Sequence, residues 1–183
     1  LGAMDKALNA AQLALTLQPQ KVELVRELAQ TYEAAQNWQA AMEAWTQAAT
    51  SAGNGHEKDG ETYEPCADDL YALVRSALRA GRPKNALQAV QYLLKKDSTD
   101  GLAHALMGQT LSALGRGSEA LPHYQRAIQL MPQQPQTWLA LAQEQRAAGK
   151  LAEGLDTLRK ATQAVPQSAE ILLALGEACL ADQ

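Results

Sequence analysis

Few side chains in this chain have the types and spacing that chemistry needs. There are three histidines, His56, His104 and His123, and two cysteines, Cys66 and Cys179. A histidine that moves protons needs a partner of matched pKa within hydrogen-bond reach. His104 stands in a column of apolar residues, so it is expected to be a packing residue. His123 follows Pro122 early on a second helix, and no carboxylate is expected at ligand spacing from it. His56 lies near Glu57, Asp59 and Cys66. All are zinc-ligand types, but no recognised ligand spacing joins them. The stretch Gly53–Gly60 lacks the GK[ST] ending of a phosphate loop, and its acids do not follow the calcium-loop pattern. Neither GxSxG nor HExxH occurs. The expectation is no catalytic residue, no metal, no cofactor and no enzyme activity. Cys66 and Cys179 form no CxxC pair and no disulfide framework, which favours a reducing, cytoplasmic setting.

The elements that must position these residues are helical. Among 183 residues there are 36 Ala, 28 Leu and 20 Gln, but five Val, two Ile and no Phe. Strands want β-branched and aromatic side chains, while helices want Ala, Leu and Gln. The longest apolar runs are five residues, as in Leu70–Val74. A membrane span needs roughly 20, so none is expected. A net charge of −4 gives no basic excess for nucleic acid. Residues 1–4 read as a cloning remnant ahead of an excised fragment, without the charged and apolar regions of a signal peptide.

The chain repeats itself every 34 residues: Gly81, Gly115 and Gly149 keep that step, as do Leu73, Met107, Leu141 and Leu175, and Pro132 and Pro166. Fixed periods of this size signal stacked repeats. Within one unit, Trp138, Leu141, Ala142 and Gln145 recur at the three-and-four spacing of a helix face. Gly149 supplies a stop, a second apolar face follows, and Pro166 ends it. The predicted helices lie near 5–18, 22–35, 38–50, 67–80, 84–96, 101–114, 118–131, 135–148, 152–164 and 169–182. Trp138, Tyr124, Leu141 and Leu158 are expected in the core, and Cys179 is expected to be a small buried hydrophobe.

These residues resemble the tetratricopeptide repeat family, whose pattern runs W-x2-L-G-x2-Y, G, A-x3-F-x2-A, P. Residues 104–132 carry Met107, Gly108, Leu111, Gly115, Ala120, Tyr124, Ala127 and Pro132 at those places. Residues 138–166 carry Trp138, Leu141, Ala142, Gly149, Leu158, Ala161 and Pro166. The resemblance implies an all-α solenoid, a right-handed superhelix of antiparallel helix pairs. Its units would be 22–49, 67–100, 101–134 and 135–168, with partial units at 5–21 and 169–183, making one solenoid fragment over 5–183. An acidic insertion at 50–66 breaks the period by about eleven residues.

The family resemblance also implies a peptide-binding concave groove. Carried over position by position, it assigns that groove Tyr71, Arg75, Arg79, Leu102, Gln109, Leu139, Gln143 and Arg146. The same positions of the first full repeat hold Glu23, Arg26, Gln30, Glu33 and Ala34. Glutamines can bond a peptide backbone, leucines offer apolar pockets and arginines hold carboxylates. The expected partner is a protein or peptide with acidic and apolar residues, and end-to-end self-association is also expected. The alternative is a regulatory or sensory segment of a larger enzyme or transcription regulator. Residues 57–69 carry six acids, and residues 70–96 carry six bases and no acid. Part of the acidic run is therefore expected to fold back toward Arg75 and Arg79.

Overall fold

The computed structural model describes residues 2–18, 21–51 and 65–181. Among them are ten helices and no strand. They are α1 (Ala3–Leu17), α2 (Val22–Ala34), α3 (Trp38–Ser51), α4 (Ala67–Arg79), α5 (Pro83–Lys96), α6 (Gly101–Ala113), α7 (Gly117–Leu130), α8 (Pro135–Ala147), α9 (Leu151–Ala164) and α10 (Ala169–Ala181). The chain forms two compact units, Leu1–Val90 and Gln91–Gln183, whose boundary falls within α5. Most of the acidic insertion lies outside the described residues.

The turn inside each helix pair follows one scheme. Gly81, Gly115 and Gly149 end α4, α6 and α8 with φ of 67°, 74° and 78°, the left-handed region where a Cβ is costly. The next amide then reaches back across the turn. Arg82 N donates to Ala77 O at 2.8 Å, Arg116 N to Leu111 O at 2.9 Å and Lys150 N to Gln145 O at 2.8 Å. After α2 the same turn is made by Gln36, with φ 56°, and Asn37 N donates to Tyr32 O at 2.9 Å. Helix starts are capped where the sequence supplies an acceptor. Asp100 Oδ1 accepts from Leu102 N at 2.9 Å and Ala103 N at 3.1 Å, and Asn37 Oδ1 accepts from Ala40 N at 3.2 Å.

In the first unit α1 packs on α2, α2 on α3 and α3 on α4. Its core includes Val25, Leu28, Ala29, Met42, Trp45, Ala48, Leu73 and Val74. In the second unit α6 packs on α7, α7 on α8 and α8 on α9, while α10 lies against α9 and α8. Leu106, Met107, Leu111, Tyr124, Ile128, Leu141, Leu158 and Ile171 are buried there. Small residues let helices approach. At Gly108 a Cβ would lie 2.6 Å from the Tyr124 ring at Cε1.

Polar ties join the two helices of a pair at a spacing of twelve. Trp45 Nε1 donates to Glu33 Oε1 at 3.0 Å, Thr157 Oγ1 donates to Gln145 Oε1 at 2.7 Å, and Ser112 Oγ meets the Tyr124 hydroxyl at 3.2 Å. No buried side-chain polar atom of the described residues lacks a partner, as packed interiors require.

Three expectations are corrected. Trp138 is only half-buried, and its indole N–H donates to Pro132 O at 2.8 Å. The neighbouring Thr137 is buried instead. Cys179 is exposed. In the preceding pair the same column holds Gln145, which Thr157 of the second helix covers, and no such helix of the described residues covers Cys179. His104 is not an apolar packing residue but part of a polar pair described below. Tyr124, Leu141 and Leu158 are buried as expected.

Gly108 and Gly176 occupy one column two repeats apart, yet their surroundings differ. Nothing lies within 4 Å of a Cβ placed on Gly176. Gly176→Ala should therefore stabilise by about 0.5–1 kcal/mol through helix propensity. Gly108→Ala should cost about 1–3 kcal/mol through overpacking against Tyr124. Urea denaturation of the two variants checks the opposite signs.

Candidate functional site

In the first unit, α2 and α4 present facing rows over α3. Arg26, Gln30 and Glu33 come from α2, and Asp69, Arg75, Ser76 and Arg79 from α4, at helical three-and-four steps that put them on one side of each helix. Two adjoining hollows of about 450 Å³ and 350 Å³ lie along these rows and share Gln30, Glu33 and Arg75. Trp38, at the start of α3, walls the larger one.

The charges in this groove are not equivalent. Arg26 grips Asp69 with two nitrogens: Nε lies 2.9 Å from Oδ1 and 3.2 Å from Oδ2, and Nη2 lies 2.8 Å from Oδ2. Glu33 Oε1 accepts from Trp45 Nε1 and, at 2.7 Å, from Ser76 Oγ, so this carboxylate ties α2 to α3 and α4. Arg79 is exposed, with its guanidinium carbon 4.5 Å from the centre of the Trp38 ring. That arrangement is a cation–π contact. Arg75 is exposed between the hollows, and no carboxylate of the described residues pairs with it. A cation held open beside a second, stacked cation suits an anionic group of a ligand.

Tyr71, Arg75 and Arg79 thus lie on one helix, and the two arginines line the larger hollow. In the second unit Leu102, Gln109 and Gln143 are exposed on α6 and α8. Leu139 is half-buried and packs against the Ala142, Leu158 and Ala178 cluster. Arg146 runs alongside α9, where a Cβ on Gly154 would meet its Cγ at 2.8 Å. Of the acidic run expected to fold back toward Arg75 and Arg79, the described residues include Asp68 and Asp69, which lie on α4, and Asp69 pairs with Arg26 instead. Residues 57–64 lie outside the described residues.

Sequence reasoning missed the Trp38 platform and the tie at Glu33. It also missed a pair on α6 and α7, where His104 Nδ1 lies 3.0 Å from His123 Nδ1 and His104 Nε2 lies 3.1 Å from Ser98 O. Burial first and His104 second push the His123 imidazole below its ordinary pKa, while Glu119 one turn away acts in the opposite direction. The available signal was topological. The stop at Gly115 folds α7 back on α6, so residues on either side of it must meet.

One tetratricopeptide repeat family model matches residues 71–135 and a second matches 135–178, together more than half of the chain. The chain belongs to the tetratricopeptide repeat family. The crystal structure of YrrB, described as a tetratricopeptide repeat protein with an unusual peptide-binding site, is 20% identical. That match covers 93% of this chain and 82% of that one, with a TM-score of 0.71. The thermophilic protein TTC0263 of Thermus thermophilus is 20% identical over 97% of this chain and 91% of that one, with a TM-score of 0.69. MamA from Desulfovibrio magneticus RS-1 is 13% identical over 89% of this chain and 86% of its own, with a TM-score of 0.73. At these identities the likeness is one of fold. No curated protein sequence matches the chain. The first matched segment runs from within α4 to the start of α8, and the second from there into α10. No helix of the described residues is long and apolar enough to cross a membrane.

Proposed function

We propose that this chain is a non-catalytic interaction scaffold of the tetratricopeptide repeat family that binds a peptide segment or partner protein through the faces of its first helices. The observation that carries this reading is Arg75, exposed in the groove of α2 and α4 without a described carboxylate partner, next to the Arg79–Trp38 stack. Such a pair selects an acidic residue. Taken by itself, the second unit exposes Leu102, Gln109 and Gln143, which offer apolar and backbone-bonding contacts of its own. The peptide-binding site of YrrB, a protein of the same fold, supports the reading by analogy. The free thiols of Cys66 and Cys179 suit a reducing, cytoplasmic compartment. Exposed Leu172, Leu173 and Leu180 on α10, and Leu13 and Leu17 on α1, support end-to-end association of copies.

The test is calorimetric titration with a set of peptides that carry one or two acidic residues beside an apolar anchor. A binding peptide should lose about tenfold in affinity with Arg75→Ala, the worth of one charged hydrogen bond. It should also bind more weakly at high salt, as exposed charges require. Equal affinity for parent and Arg75→Ala would remove Arg75 from the site.

A further inference from the structure

The His104–His123 pair takes no part in the proposed groove, yet its geometry is specific. Ser98 O can only accept a hydrogen bond. The 3.1 Å contact from His104 Nε2 therefore fixes the proton on Nε2 and leaves a lone pair on Nδ1. That Nδ1 faces His123 Nδ1 at 3.0 Å, with the two rings tilted by 35°. Both imidazoles are half-buried, one on α6 and the other on α7.

We propose that His104 and His123 form a two-imidazole site for a divalent late-transition cation, copper(II), nickel(II) or zinc(II), which clasps α6 to α7. Imidazole nitrogen suits these ions, whereas magnesium and calcium take oxygen ligands. A ligating histidine almost always donates its other ring N–H to a carbonyl or carboxylate, and Ser98 O already holds His104 in that way. With nitrogen–metal bonds of about 2.0–2.1 Å, two nitrogens stand roughly 2.9 Å apart at a right-angled site and roughly 3.3 Å apart at a tetrahedral one. The pair at 3.0 Å falls inside that span. When the ion enters, the hydrogen now between the rings leaves His123 Nδ1 and a proton is taken up at its Nε2, so neutral His123 changes tautomer without net charge.

The carboxylates nearby are engaged elsewhere. Glu119 is bound to Arg116 at 2.6 Å and 2.7 Å, Asp97 Oδ1 accepts from Thr99 N and Oγ1, and Asp100 caps α6. No group of three metal-ligating side chains exists among the described residues. The remaining positions of the ion therefore fall to water.

The experiment is titration of Cu2+ alone into the full chain and into His104→Gln, His123→Gln and His56→Gln, in a buffer that does not bind metal. Calorimetry gives affinity and circular dichroism checks that each variant keeps its helices. The parent should bind one Cu2+ whose electron paramagnetic resonance spectrum shows two coordinated nitrogens. Affinity should fall at least about tenfold in His104→Gln and His123→Gln, and stay unchanged in His56→Gln. The spectrum of the parent decides the matter even if a variant fails to fold. Unchanged affinity in folded His104→Gln or His123→Gln, loss in His56→Gln alone, or no two-nitrogen signal overturns the proposal.

Discussion

Replacing Trp45 by alanine should destabilise the first unit by about 3–5 kcal/mol, the range for deleting a large buried aromatic. Trp45 is 5% exposed and lies on α3 among the buried alanines of that helix. Its removal opens a cavity and also takes from Glu33 one of its two described donors. Two comparisons separate these effects. Trp45→Phe keeps most of the volume and should cost less, with about 1 kcal/mol from the lost hydrogen bond. Trp138→Ala, at the half-buried tryptophan, should cost only about 1–2 kcal/mol, since less apolar area leaves water there. Urea denaturation followed by circular dichroism measures all three. Equal losses at Trp45 and Trp138 would contradict the burial described above.

The second large effect is at the Arg26–Asp69 pair, and it should be asymmetric. The Asp69 side chain is 4% exposed, and that of Arg26 is 32% exposed. Arg26→Ala leaves a buried carboxylate without its main counter-charge, which should cost about 3–5 kcal/mol. Asp69→Ala leaves a cation that water still reaches, so roughly half that loss is expected. The double variant should recover part of the sum, and the cycle gives the coupling between the two side chains. Equal single losses, or simple additivity, would show that the pair is a surface ion pair in energetic terms.

Much of the fold is legible in the sequence because one physical device is repeated. A glycine every 34 residues takes the left-handed turn, and the apolar steps around it set which helix face is covered. That was enough to place ten helices within about two residues of where they lie. Column position alone does not give depth. Trp138 and Cys179 share columns with buried residues but are covered differently, because depth depends on which neighbour packs over the column. Polar pairing across a helix pair is harder still. Glu33 read as a groove residue, and only the placement of Trp45 and Ser76 shows its carboxylate to be a structural tie. Arg75 and Arg79 were legible from their spacing of four. The Trp38 ring under Arg79 was not, since it comes from the start of another helix rather than from the same face.

The turn after α2 has a dynamic consequence. Gln36 holds a left-handed backbone where the corresponding turns use glycine, and that conformation costs an L-residue about 1–2 kcal/mol. Strain confined to one corner lowers the free energy of opening that corner and no other. A difference of this size is roughly a 5- to 30-fold change in an equilibrium. Amide protons at the α2–α3 corner should then trade with solvent deuterium that much sooner than those at the glycine corners, so the earliest labelling in the first helix pair marks where its backbone yields.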